Sequence, residues 1–529
     1  MIGAGATGAG CALEAELRGL HTVLIDAGDF ASATSSASTK LVHGGIRYLE
    51  QAARHLDLGQ LKVVRQALHE RVRMLANAPH LAHSRRFLIP CFSRLETWYY
   101  GLGVQLYDWL AGSDNLAPSH SLSAQETLQL LPELNPANIA GSITYADGQF
   151  DDARYCLALV ESLSQSGGCA ANYLKVISFD TKADGRITSV VVEDQLTHEQ
   201  FSLTARVILN ATGPFSEMIR DLASRQVKPR LVLSRGVHIL LPLTPENDSV
   251  GLLIPHTEDG RVIFAIPWMG RLLVGTTDQE VTNQAESFVT RREAEYLLRH
   301  LNKYLRVPRS LHEIVSAFSG VRPLVRPAHA KATKQLIRDH ELESDSRSGL
   351  LSILGGKWTT YRAMAEDAVN SVQQRLGVPI SNSRSLHHPL AGAAQYTSQY
   401  AGELSSRHNL PLPQAAHLAG KFGTAADDVC VIVQRDPSSR RLIVEGFPAI
   451  EAEIAYSIRN EMAMTLEDVL ARRIGLQFHS WELSGTAAPV VAQYFVREHG
   501  WSPQRAKECV DEYLDRLDRM KRALMVEAT

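Results

Sequence analysis

The chain opens Met-Ile-Gly3-Ala-Gly5-Ala6-Thr7-Gly8-Ala-Gly10, a G-x-G-x-x-G run that limits the fold more than any other stretch. Gly3 permits a tight turn, Gly5 lets a pyrophosphate approach the backbone, and Gly8 lets a helix pack closely on a sheet. The free N–H groups at the start of that helix then face the phosphates with the positive end of its dipole. Cys11 to Leu20 reads as the helix and His21 to Asp26 as a second strand, with Asp26 18 residues beyond Gly8. An acid there can accept both hydrogen bonds of an adenosine ribose diol. Alone, the glycine run is equally a Gly/Ala-rich turn; the strand and acid that follow make it a dinucleotide-binding unit. Only Met1 and Ile2 precede Gly3, so the first strand, usually about five or six residues long, reads as truncated.

After the acid comes a hydroxyl-rich loop, Ala31-Ser-Ala-Thr-Ser35-Ser36-Ala-Ser-Thr-Lys40-Leu41-Val-His43-Gly44-Gly45-Ile-Arg47-Tyr48-Leu49-Glu50. Such a loop can pass under a large flat ring and hydrogen-bond it from main chain and serine hydroxyls. A flexible serine-rich linker is the plain alternative. The embedded Gly44-Gly45, flanked by His43 and Arg47, argues against it.

These two segments, with Gly355-Gly356-Lys357-Trp358-Thr359-Thr360-Tyr361-Arg362-Ala-Met-Ala365, resemble the FAD-dependent, quinone-linked glycerol-3-phosphate dehydrogenases along nearly the whole chain. Ile2 to Gly19 matches the first signature of that family, with Ala4 where a third glycine is usual and Glu14 where Asp is usual. Lys40 to Glu50 matches its flavin loop, and Gly355 to Ala365 its second signature without a departure.

The fold class expected is α/β: a two-dinucleotide-fold, glutathione-reductase-type FAD domain with an inserted antiparallel β substrate domain and a C-terminal helical domain. The FAD domain is expected in three parts, 1–75, 146–230 and 316–380. Between them lie a helical cap, 76–145, and the substrate domain, 231–315, where short β runs replace the helical period. A polar linker over 380–400 leads to helices over 400–529. Residues 94–112 carry apolar side chains at 95, 98, 99, 102, 106, 109 and 110, a helical stripe whose aromatic content suits a membrane interface. A helix packed on the core is the competing reading.

Composition narrows the classes. Lys+Arg 54 against Asp+Glu 57 gives a net charge of −3, with no basic field for nucleic acid. Six scattered cysteines without C-x-x-C spacing argue against zinc, a dithiol pair or a disulfide scaffold, and no metal site is expected. No apolar run reaches the ~18 residues of a spanning helix, and no secretion signal is apparent. A cytoplasmic protein, peripheral on the inner face of the membrane, is expected.

The resemblance implies FAD as cofactor, glycerol 3-phosphate as substrate and a membrane quinone as electron acceptor; it is compatible with a homodimer. It implies cofactor contacts from Gly3, Gly5, Ala6, Thr7, Gly8, Asp26, Ser35, Ser36, Lys40, Leu41, His43, Gly44, Gly45, Val176, Ala211, Thr212, Gly213, Gly356, Lys357 and Thr359. A phosphate dianion wants Arg forks and other cations. Arg47, Tyr48, Arg322, Arg338, Lys357 and Thr359 are the expected substrate residues. His238, on a predicted strand, is the candidate base for the C2 hydroxyl, with His43 its competitor and Arg322 the stabiliser of the alkoxide. Two other functions stay open: an oxidase that passes electrons to oxygen, and a non-catalytic FAD-fold protein.

Overall fold

Ile2 stands at the centre of the first sheet. It bridges in parallel to both Ile25 and Asn210, and its carbonyl accepts from Ala211 N at 2.8 Å while Gly3 N donates to Ile25 O at 2.8 Å. The short strand thus makes the central pairings that a nucleotide-binding βαβ unit requires. The protein is described as a computed structural model over residues 1–45, 58–224, 228–244, 247–282, 288–326 and 340–526. Outward from Ile2, Val23–Ile25 pairs in parallel with Cys169–Ala171. On the other side Leu209–Asn210 pairs in parallel with Leu351–Gly355, which pairs antiparallel with His340–Ser344. Ala6–Leu17 follows the glycine turn as a helix and packs against Asp152–Gln165 and Tyr361–Leu376. Its small residues, Ala9 and Ala12 among them, are fully buried, because a close helix–sheet approach leaves no room for larger ones.

A second sheet has ten strands. Leu231–Pro242 is its longest strand, pairing antiparallel with Arg271–Gly275, Gln279–Val281 and Ser316–Val325. Part of the span expected as a helical cap joins this sheet: Ala82–Cys91 and Gly141–Phe150 pair over ten residues each. The cap itself reduces to Arg94–Ala111 and the short Ala124–Leu130. Helical period was a poor guide here because Gly141–Phe150 is buried on both faces, which erases the alternation a half-buried strand would display.

Alternate residues of Leu231–Pro242 serve opposite faces of the sheet. Val237, Ile239 and Leu241 enter the core shared with the C-terminal helices, through Ile454, Leu470 and Val491. Leu240 joins Phe87, Ile143, Tyr145 and Phe318 on the other face. The C-terminal region runs from Tyr400–His408 to Pro503–Met525 as helices. It includes one π-helical stretch, Asp468–Arg473, a geometry found most often at functional sites.

That stretch carries the main polar tie between the regions. Asp29, three residues beyond Asp26, is 2% exposed. It accepts from Arg472 Nε at 2.5 Å, Arg473 Nη2 at 2.8 Å and Asn172 Nδ2 at 3.1 Å. Arg472 also reaches Asp468, which Tyr173 Oη meets at 2.9 Å. Arg154 and Lys421 add Arg154–Glu461 and Lys421–Asp151 pairs at 2.6 and 2.7 Å. Burial alone would raise the Asp29 carboxyl, but Arg473 and Arg472 outweigh it and hold it below the usual carboxylate range. Removing one partner of such a buried set leaves the other charges uncompensated, at about 3–5 kcal/mol. Asp29→Asn should therefore lower the urea midpoint of the C-terminal region by a matching amount. An unchanged midpoint would mean that water already serves the two guanidinium groups.

Candidate active site

Gly3 and Gly5 are glycines for separate steric reasons. Gly3 has φ +96°, and a Cβ there would stand 2.8 Å from Ala211 O; a Cβ on Gly5 would meet Ser35 Oγ at 2.8 Å. A Cβ on Gly8 would lie 1.7 Å from Gly3 O, so Gly8 serves helix packing and does not itself line the cavity. Ala6 N donates to Ser35 Oγ at 2.9 Å, which fixes the serine loop over the helix start. Asp26 accepts from Ala4 N at 2.6 Å and Gly28 N at 3.0 Å.

These groups edge a cavity of about 1190 Å³. Gly3, Gly5, Ala6, Thr7 and Asp26 line it with Val176, Ala211 to Gly213, Ser35, Ser36 and Gly356 to Trp358. The glycine turn that follows Ile2 borders it, as in the crevice where open α/β sheets bind nucleotides. A helix N-terminus suited to phosphates, an acid suited to a ribose, small residues and a hydroxyl-rich loop together fit FAD.

Several expected contacts lie elsewhere. The Lys40 side chain turns away from the cavity and is 1% exposed. Its Nζ donates to Ser36 O at 2.7 Å and Asp152 Oδ1 at 2.5 Å, ringed by Trp268, Phe318 and Phe478. It props the serine loop from behind. Leu41 begins a short strand on Gly141–Phe150. Gly44 N donates to Tyr107 Oη at 2.8 Å, and Tyr107 Oη meets Asp147 at 3.0 Å. His43 N reaches Thr359 Oγ1 at 3.3 Å, joining the flavin loop to the second signature, and Gly45 carries φ +86°. Arg47, Tyr48 and Arg338 lie outside the described residues.

On the sheet face, His238 and Arg322 come together. Strand register sets Gly236 opposite Gly320 and His238 opposite Phe318. Arg322 Nη2 donates to Thr276 Oγ1 at 2.9 Å, and its guanidinium lies 3.9 Å from Asp278. A side chain at 236 would collide with Arg322, and one at 275 with His238. His238 is buried, stacked on Phe318 with centroids 4.8 Å apart, and its Nε2 lies 2.9 Å from Thr39 Oγ1. Burial, with Arg322 and Lys40 nearby, pushes its pKa well below the ordinary value, so the imidazole is neutral at physiological pH. Sequence reading passed over Thr39, Asp29 and Arg472, and it counted Tyr107 with the exposed aromatics of 94–112, whereas Tyr107 is buried. Thr39 sits in the loop already singled out, but only the fold brings it to His238.

Residues 1–362 match the model of the "FAD dependent oxidoreductase" family, and residues 383–506 that of the "C-terminal domain of alpha-glycerophosphate oxidase". The chain is 38% identical to the mitochondrial glycerol-3-phosphate dehydrogenase of Rattus norvegicus, over 96% of this chain and 71% of that one. It is 37% identical to the mitochondrial enzyme of Arabidopsis thaliana, over 98% and 86%. The solved glycerol-3-phosphate dehydrogenase of Bacillus halodurans, complexed with FAD, superposes with a TM-score of 0.79 at 28% identity, covering 100% of this chain and 95% of that one. Fold and cavity thus define a FAD-dependent oxidoreductase. Within that class the chain belongs to the glycerol-3-phosphate dehydrogenase family.

Two outcomes test the cofactor site. Gly5→Val puts a branched side chain where the pyrophosphate must lie, and folded protein should be colourless. The second concerns Asp26, whose carboxyl burial raises to about 6, against the backbone N–H groups of Gly28 and Ala4. A ribose diol donates to the charged carboxylate, so binding draws the proton off. FAD affinity should fall as pH drops through about 6, approaching about tenfold per pH unit below it, and level off above. Fluorescence titration of apoprotein with FAD measures this; a flat profile would show that Asp26 does not hold the ribose.

Proposed function

We propose that this protein oxidises sn-glycerol 3-phosphate to dihydroxyacetone phosphate with FAD, and that the electrons leave to a membrane quinone. What carries this reading is similarity to glycerol-3-phosphate dehydrogenases over nearly the whole chain, joined to a nucleotide cavity beside a basic, histidine-bearing sheet face. FAD supplies the acceptor for the C2 hydride. The substrate hydroxyl passes its proton to neutral His238 at Nε2, by way of the Thr39 hydroxyl that separates the buried ring from open space. His43, in the flavin loop, remains the competing base. Arg322, held by Thr276, steadies the alkoxide as hydride leaves, and Arg47, Tyr48, Arg338, Lys357 and Thr359 complete the phosphate and hydroxyl contacts.

The membrane reading rests on the helix Arg94–Ala111. It buries Gly101, Val104 and Tyr107 and exposes Leu95, Tyr99 and Leu102, with Trp98 64% and Trp109 75% exposed. A stripe of this kind lies in an interface with its rings at headgroup level. Among the described residues no helix is long and apolar enough to cross a membrane. A second copy of the chain covering the same stripe would make it a dimer face.

The oxidase alternative is favoured by the match of residues 383–506 to the C-terminal domain of alpha-glycerophosphate oxidase. Anaerobic addition of glycerol 3-phosphate should bleach the yellow protein, and in air hydrogen peroxide should stay far below stoichiometric while a soluble quinone is reduced. Stoichiometric peroxide would make the protein an oxidase; no bleaching would refute the activity. His238→Ala and Thr39→Val should each lower kcat by about a hundredfold or more. Arg322→Leu should raise KM and lower kcat together. If Thr39→Val retains full kcat, the proton takes another route. Trp98→Glu with Leu102→Glu should abolish pelleting with anionic vesicles while sparing dye-linked activity; retained pelleting would exclude the stripe as the contact.

A further inference from the structure

The C-terminal helices line the cofactor cavity. Ala471, Arg472, Gln477, Phe478, Trp481 and Arg516 stand in its wall, facing Ala31 to Ala37 of the serine loop across the space. This wall is built as a binding surface. Gln477 is 4% exposed. Its carbonyl accepts from Tyr513 Oη–H at 2.9 Å and its backbone oxygen from Ser316 Oγ–H at 2.8 Å. That pins the side chain and leaves its amide N–H groups without an acceptor among the described residues. Trp481, also 4% exposed, has its Nε1–H orphaned in the same wall. Trp481 Nε1–H is a buried donor without a partner among the described residues, which is costly, and with the Gln477 amide lining the same cavity it points to a ligand rich in acceptors.

We propose that the C-terminal domain is part of the FAD site, with Gln477 as a cofactor-binding residue of its own and Trp481 and Arg472 completing the wall. FAD offers pyrophosphate oxygens, ribityl hydroxyls and ring carbonyls, all of which accept. Arg472 makes the assignment two-sided: it lines the cavity while its Nε holds Asp29, three residues past the ribose acid. FAD bound between the two regions therefore presses on the same cluster that docks them, so the cofactor and the C-terminal domain hold each other in place. The inference rests on FAD being the ligand of the cavity.

The test replaces the donors and leaves the packing. Gln477→Glu is isosteric and still accepts from Tyr513, but sets a carboxylate toward an anionic cofactor. Gln477→Met is neutral and of similar length, and loses the donors together with the oxygen that accepts from Tyr513. FAD affinity is read by quenching of flavin fluorescence on titrating FAD into apoprotein, and docking by the melting temperature of apoprotein and holoprotein. The dissociation constant should rise about 2- to 10-fold in Gln477→Met and further in Gln477→Glu. The rise in melting temperature on adding FAD should shrink in parallel, beyond what the buried carboxylate of Gln477→Glu itself costs the apoprotein. Parent affinity for FAD in either folded variant overturns the proposal. So does a loss confined to the apoprotein's melting temperature, which would make Gln477 a packing residue. Failure of the parent protein itself to bind FAD would instead refute the cofactor assignment.

Discussion

The carboxylate of Asp29 between Arg472 and Arg473 is the constraint on which the rest of the molecule turns. It lies at the end of the turn that carries Asp26, so the same few residues set the ribose acid and anchor a helical domain more than four hundred positions away in sequence. A buried pair of this kind gives little net stability against well-packed apolar residues. Its value here is placement: the two guanidinium groups accept one approach direction, and the long side chains of the adjacent arginines at the end of Asp468–Arg473 converge on one carboxylate.

From that anchor the loop after Asp26 is held by three separate ties. Lys40 ties it to Asp152 from behind, Tyr107 holds Gly44 from below, and Thr359 reaches His43 from the second signature. A hydroxyl-rich loop free of these ties would lose its shape, since Ser and Thr hydrogen-bond their own backbone as readily as a ligand. The same logic keeps His238 neutral. Burial first, then the nearby cations Arg322 and Lys40, oppose a charge on the ring, which leaves the imidazole unprotonated and also makes it a weaker base.

What could be read from sequence follows from how local the cause is. The glycine turn, Asp26, the serine loop and the Gly355–Ala365 run act within a few residues of themselves, and each stands where its spacing predicts. The strand Leu231–Pro242 was legible from its β-branched and leucine-rich run, and the stripe of Arg94–Ala111 from its period. The strands Ala82–Cys91 and Gly141–Phe150 were not, because burial on both faces, over Phe87–Cys91 in the first and throughout the second, removes alternation. Lys40 was legible as part of a motif and misplaced as a contact: a lysine beside a flavin loop carries no mark of which way it points, and only the buried Asp152 decides it. The partners of Asp29 were out of reach altogether, since nothing local in a helical arginine pair names a carboxylate in another domain.

The helix Arg94–Ala111 shows how the surface and the site are joined. Its inner face ends in Tyr107, whose hydroxyl holds both Gly44 and Asp147, with Asp147 in turn paired to Arg71. Its outer face carries Trp98 and Trp109 into the open. Residues two apart on a helix point to different sides, so Tyr107 and Trp109 are set by one backbone yet answer to opposite surroundings. Whatever covers the outer face therefore bears on a rod whose inner face fixes the flavin loop. The polar groups that fix it are buried: Tyr107, Asp147 and Arg71 form one hydrogen-bonded chain, and burial raises the Asp147 carboxyl to about 6 against the pull of Arg71. Contact at the surface and geometry at the cavity are for this reason properties of the same helix.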